Sequence, residues 1–136
     1  MEKHIMLLFL SRIQTKDGKL SPAHYKDIDD ATYTTNESAV RYLSKKVIID
    51  HMFALVTESV EKGIVPAEEA LGKTHLGYFQ HRIKDICPNI DSKEFFTPCH
   101  YDEKMPAGEM LLAVTGIADQ IMEYVRTARA AEDDII

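Results

Sequence analysis

Tyr33–Leu43 reads YTTNESAVRYL, and the parsing of the chain turns on it. The end of an extended segment gives way to a polar turn and then to the first turns of a helix. Thr34 and Glu37 stand three residues apart, the spacing of a capping box. In that motif the Thr hydroxyl accepts from a backbone N–H of the first turn while the Glu reaches back to the cap's own N–H. Thr35 and Asn36 are then spare polar groups beside a helix N-terminus. Such an end carries unpaired N–H donors and a partial positive charge, which suits a phosphate or another anion. Read alone, the stretch is a well-capped helix; the flanking chain decides whether it is also a site.

On the N-terminal side lies a compact apolar run, Ile5–Leu10. Its length and bulk suit a strand buried on both faces, as in the middle of a parallel sheet. It ends in Ser11 and Arg12. Gln14–Pro22 is polar, with Asp17-Gly18 as a turn signal. Two short extended candidates follow, around Ala23–Ile28 and Ala31–Thr34, split by Asp29-Asp30. They would form a β-hairpin, although no Asn-Gly or Asp-Gly marks the turn between them.

On the C-terminal side the helix carries Ala39, Val40 and Leu43 on one face and ends near Ser44-Lys45-Lys46, where lysines suit the negative end of the dipole. Met52–Val56 is the second buried strand and ends in Thr57-Glu58-Ser59. A short helix from Glu58 to Lys62 closes at Gly63. Pro66 opens a further helical stretch, which Gly72 interrupts. Thr74 recaps the chain for a longer helix with Leu76, Phe79 and Ile83 on one face, ending at Cys87-Pro88. Phe95–Tyr101 reads as a third, shorter strand, with Pro98 forcing it toward an edge or a bulge. From Pro106 a helix carries the apolar stripe Met110, Val114, Ile117, Ala118, Ile121 and Val125, a core-packing face. Ile135-Ile136 reads as the first residues of another strand, so the chain is expected to be the front part of a longer protein.

Strands alternating with helices predict an α/β fold, Rossmann-like, with a mostly parallel sheet flanked by helices. Its 136 residues make one domain. In open α/β sheets ligands sit beyond the carboxyl ends of the strands. That edge collects Ser11 and Arg12, Thr57 and Glu58, His100-Tyr101-Asp102, and the Thr34-Thr35-Asn36 turn. It is rich in hydroxyls and amides.

Composition narrows the classes. The chain is 45% hydrophobic and 28% charged, as an ordinary globular protein is. A net charge of −6 argues against binding duplex nucleic acid, which wants a basic face. A small anionic ligand held locally by backbone donors and a cation remains compatible. Cys87 and Cys99 make no disulfide framework and no C-x-x-C, which fits a reducing cytoplasm. The apolar start is too short to span a bilayer. GxGxxG, GxxxxGK[ST] and G-x-S-x-G are all absent. The six histidines form no H-x-x-x-H or H-E-x-x-H, so neither a zinc site nor another metal is expected.

The opening strand ending LFLSR, the YTTNESAVRYL turn and helix, the strand MFALVTE, the THLGYF helix start and the closing amphipathic helix, taken in that order, resemble a CARF domain. This is the CRISPR-associated Rossmann-fold sensor of type III accessory and effector proteins. The match covers most of the chain and rests on the order of its phrases, none of which is as specific as a P-loop. The resemblance implies a homodimer that binds a cyclic oligoadenylate across its two-fold axis and controls an effector domain, here expected in the remainder of the chain. It implies no cofactor beyond that ligand. Some members also cut the ligand slowly.

Carried over by residue, the polar position after the first strand falls on Ser11, with Arg12 beside it. The threonine-rich turn falls on Thr34, Thr35 and Asn36, and the polar end of the next strand on Thr57 and Glu58. The family's later glycine-containing loop, near an Asp and an Arg or Lys, has no counterpart here. Adenines would stack on Tyr33 or Tyr101, and phosphates would meet Thr35, Asn36 and Arg12. Three readings are open: a sensor without chemistry of its own, a ring nuclease that aligns each ribose 2′-hydroxyl with its phosphate, and a plain α/β dimerisation domain. No catalytic residue stands out, which favours the sensor. Thr35 and Asn36 are preferred over Thr34 as contacts, because Thr34 is needed by the backbone.

Overall fold

The computed structural model describes residues 4–25, 28–91, 96–101, 116, 118–123 and 125–126. Strand β1 (Ile5–Phe9) is followed by two small hairpins, β2 (Thr15–Lys16) with β3 (Lys19–Leu20), and β4 (Ala23–Tyr25) with β5 (Ile28–Thr32). Helix α1 (Thr35–Ser44) leads to β6 (His51–Thr57), then to the short α2 (Glu58–Lys62) and to α3 (His75–Ile83). A further strand, β7 (Phe96–Tyr101), precedes helical backbone at 118–123 and 125–126.

The organising sheet has the order β1-β6-β7, and both pairings are parallel. Ile5 lies opposite His51 and Phe9 opposite Leu55, while Met52 lies opposite Phe96 and Thr57 opposite Tyr101. The two crossovers step in the same direction, so with right-handed connections their helices fall on one face. The core bears this out through the period-two alternation of strands. Met6 and Leu8 of β1, with Met52, Ala54 and Val56 of β6, share a cluster with Val40 of α1 and Phe79 and Ile83 of α3. The alternate residues face the other way. Ile5 packs with Leu7, Ile121 and Val125, and Phe53 and Leu55 pack with Leu7 and Ile121, where Ile121 and Val125 belong to the helical backbone that follows β7. The protein is therefore α/β and Rossmann-like; among the described residues its parallel sheet has three strands, with helices on both faces. The part of the last helix expected from Pro106 through Val114, and Ile117, lies outside the described residues, as does Ile135-Ile136.

Helix α1 spans 10 residues, fewer than the ~12–15 an isolated helix needs in water. Tertiary burial holds it. Val40 is fully enclosed, and burying such a side chain contributes roughly 1.5–3 kcal/mol.

Two local expectations change. The hairpin of β4 and β5 pairs Ala23 with Thr32 and Tyr25 with Ile28, so Asp29-Asp30 belongs to a strand and does not divide two. The better hairpin lies earlier. Asp17 (φ 53°) and Gly18 (φ 76°) form the two-residue turn between β2 and β3, the type I′ pairing that matches strand twist. The chain from Pro66 makes only a 3-10 turn, Glu68–Ala70, before Thr74 recaps it for α3. That turn ends on Leu71 at φ 54°, ψ 36°, with Gly72 at φ 74° and Lys73 N–H donating to Ala70 O at 3.0 Å. Leu71 is 80% exposed, so its side chain gains little burial for a backbone conformation that disfavours a Cβ. Leu71→Asn is expected to raise the unfolding free energy by about 0.5 kcal/mol, read as a higher urea midpoint at unchanged slope.

Candidate functional site

The parallel sheet aligns the carboxyl ends of its strands, and three helix starts converge on that edge. β1 runs out through Leu10 into Ser11 and Arg12. Leu10 N–H still donates to Leu55 O at 2.9 Å, which keeps the exit close to β6. α1 begins at the same edge because Asn36 fastens it there. The Asn36 Nδ2–H donates to Phe9 O at 2.8 Å, and its Oδ1 accepts from Ser11 N–H at 2.9 Å and Ser11 Oγ–H at 3.0 Å. One side chain thus staples the first turn of α1 to the last residue of β1 and to the loop beyond. Ser11 and Asn36, 25 residues apart in sequence, are brought together as the edge argument requires. Asn36 has spent its carbonyl and one amide hydrogen on that staple.

Thr34 is the N-cap, its Oγ1 accepting from Glu37 N–H at 3.0 Å. The reciprocal half of the capping box fails. The Glu37 carboxylate turns inward, where Arg82 Nε–H donates to Oε1 at 2.8 Å, Arg82 Nη2–H to Oε2 at 3.0 Å and Arg41 Nε–H to Oε2 at 3.0 Å. Three charge-assisted donors from two arginines outcompete one neutral N–H. The Glu37 side chain is 2% exposed. Its hydrogen bonds raise the already high pKa of Arg82 against the opposing effect of burial. The Arg82 guanidinium lies 4.8 Å from the Tyr33 ring centroid, and Tyr33 meets Tyr78 edge-on at 6.2 Å. One face of Tyr33, expected to stack a base, is therefore taken by Arg82.

What is left over at the α1 start is a donor set. The backbone N–H groups of Thr35 and Asn36 and the Thr35 hydroxyl have no acceptor among the described residues, and Thr35 is exposed. Arg12, one residue from the stapled Ser11, is exposed and has no carboxylate partner among the described residues. The carboxylate that would oppose an anion in the first turn, Glu37, is already outnumbered by two arginines.

His75 is the site-building residue that motif reasoning missed. It opens α3 behind the Thr74 cap, whose Oγ1 accepts from Gly77 N–H at 3.0 Å. The buried imidazole accepts at Nδ1 from Ile13 N–H at 2.9 Å. Burial first, and then the positive charge of Arg12, hold its pKa below the ordinary 6.5. No motif flags it, because its partner is a backbone group 62 residues away.

The other expected contacts sit further along the edge. Thr57 is buried at the end of β6, its hydroxyl 3.0 Å from Ser59 Oγ. Glu58 points into solvent on α2, 3.5 Å from Lys62 Nζ. At the end of β7, His100 Nε2 lies 3.1 Å from Glu61 Oε2, a pairing the sequence did not announce. Asp102 lies outside the described residues. Among the described residues no group of three or more His, Cys, Asp or Glu is placed to hold a metal ion. No helix among them is long and apolar enough to cross a membrane.

Fold and edge together define an α/β domain with a polar, donor-rich edge at the carboxyl ends of a parallel sheet. No family model, no curated protein and no solved structure matches the chain.

Proposed function

We propose that this chain is a ligand-sensing domain that binds a cyclic oligoadenylate, cyclic tetra-adenylate by preference, at the carboxyl edge of its sheet. In this reading it acts as a cytoplasmic homodimer and controls an effector in type III CRISPR antiviral defence. The observation that carries the reading is the Asn36 staple. It sets the start of α1, with the open N–H groups of Thr35 and Asn36 and the Thr35 hydroxyl, beside the Ser11–Arg12 loop. Backbone donors at a helix start plus a nearby guanidinium are what a phosphodiester needs. Two-fold pairing would double the set and match a symmetric ring. The net charge of −6 does not oppose this, since distant exposed charges are screened within about 8–10 Å at ordinary ionic strength.

Isothermal titration with cyclic tetra-adenylate and cyclic hexa-adenylate tests the reading. Heat is expected from the first and less from the second; no heat from either overturns it. One observation supports a second reading, slow cleavage of the bound ring. His100, held by Glu61 at the end of β7, is the kind of positioned imidazole that could take the proton of a ribose 2′-hydroxyl. Linear products that vanish in His100→Ala would favour cleavage, and intact rings after prolonged incubation would leave the sensor alone.

A further inference from the structure

We infer that His75 is the positioning residue for the Ser11–Arg12 loop, fixing it through the Ile13 backbone only while its imidazole is neutral, so that acid releases the loop and weakens the site. This rests in part on the reading just given, since it assigns a control to the same edge.

The loop after β1 is held at four points. Leu10 N–H donates to Leu55 O, Ser11 N–H to Asn36 Oδ1, Ile13 N–H to His75 Nδ1, and Gln14 N–H to Tyr33 O. Arg12 lies midway between the Asn36 and His75 attachments. Three of the four acceptors are a side-chain amide or backbone carbonyls, which do not take up a proton; the fourth, the His75 nitrogen, is a base that does. Accepting at Nδ1 fixes the neutral tautomer with its proton on Nε2. Protonation at Nδ1 turns the acceptor into a donor facing the Ile13 N–H. The hydrogen bond cannot survive, and two donors oppose each other in a buried place.

The surroundings offer an imidazolium no compensation. His75 begins α3, so the positive end of that helix lies against it. Arg12 on the loop is a second positive neighbour. On α2, Glu61 is paired with His100, and the exposed Glu58 with Lys62. On α1, Glu37 is committed to Arg41 and Arg82. Further along α3, His81 is exposed and lies against Tyr78. The unfolded chain therefore takes up the His75 proton more readily than the folded one. By linkage, the stability tied to this contact is present above about 6.5, the unfolded value. It is lost progressively as pH falls below that, until the lower folded pKa is passed.

The direction of the effect on binding separates this role from a simpler one. A histidine that contacted phosphate would strengthen binding on protonation. A histidine that holds the loop should weaken it, by about fivefold for one lost hydrogen bond.

The experiment follows Ile13 amide exchange and the His75 ring resonances by NMR, without ligand, from about pH 7.5 downward until the His75 ring has titrated. It uses the wild-type protein, His75→Asn and His75→Ala. Asn keeps a side-chain oxygen near the Nδ1 position and does not titrate. In the wild type, Ile13 protection is expected to fall with the same midpoint as the His75 ring. In His75→Asn it should stay flat, and in His75→Ala it should be low throughout. Ile13 protection that ignores the His75 titration overturns the inference. Calorimetry with cyclic tetra-adenylate then reads the site: affinity should fall on acidification in the wild type and not in His75→Asn. Tighter binding in acid overturns the positioning role. Absence of binding at every pH overturns the proposed function, while the ligand-free Ile13 result still decides the loop.

Discussion

Glu37→Gln is expected to lower the unfolding free energy by about 3 kcal/mol, the lower end of what removing one partner of a buried ion pair costs. The change is nearly isosteric, so it isolates charge. Glu37 Oε1 and Oε2 accept three hydrogen bonds from Arg82 and Arg41 at 2.8–3.0 Å, and the side chain is 2% exposed. An amide would accept at one atom and present N–H groups toward guanidinium at the other. The arginine side chains are 25% and 17% exposed, so water can recover part of their solvation, which keeps the cost from rising further. The two arginines should not contribute equally. Arg41 lies four residues on in the same helix, and such pairs contribute about 0.3–0.5 kcal/mol. Arg82 crosses from α3 and also covers the Tyr33 ring, so Arg82→Ala should cost several times more than Arg41→Ala. Urea midpoints of the three variants give the comparison. A loss below 1 kcal/mol for Glu37→Gln would mean the carboxylate is not the electrostatic link between α1 and α3 described above.

That link also marks where sequence reading stops. Ile5–Leu10 and Met52–Val56 declared themselves as strands because each is apolar at consecutive positions, and burial on both faces of a parallel sheet demands that. The Asp17-Gly18 turn was visible, but its strands are two residues each and polar, too short for any period to register. Thr34 and Glu37 matched a capping box by spacing, and the spacing correctly gave the Thr34 half. The Glu37 half failed because Arg82 is 45 residues distant, and no local pattern reports a partner that only the α1–α3 packing brings near. Asn36 was read as a ligand group from its place beside a helix start. The staple to Phe9 and Ser11 needs the register of β1 against α1, which only the assembled sheet supplies. His75 was invisible for the same reason, since its partner is a backbone N–H rather than another motif residue.

The staple changes what substitutions in the opening stretch should do. Arg12→Glu is expected to weaken cyclic tetra-adenylate binding by about a hundredfold while leaving stability within about 0.5 kcal/mol. Arg12 is exposed and has no partner to lose among the described residues, yet a charge-assisted contact to phosphate is worth roughly 1.5–3 kcal/mol and reversal adds repulsion. Thr35→Ala should follow the same pattern at about tenfold, because its hydroxyl holds nothing within the described fold. Asn36→Ala should behave differently. It removes the acceptor of Ser11 N–H and Oγ–H and the donor to Phe9 O, all in a partly solvated place, so stability should fall by about 1–2 kcal/mol. Binding should fall with it, because the helix start and the Ser11–Arg12 loop then lose their fixed spacing. Loss of both properties in Asn36→Ala is thus the signature of a staple and says nothing against a site. The discriminating measurements are Arg12→Glu and Thr35→Ala, whose stability should not move. If both bind cyclic tetra-adenylate as the wild type does, the α1 start is only a well-fastened helix end and the ligand contacts must be sought elsewhere on the edge.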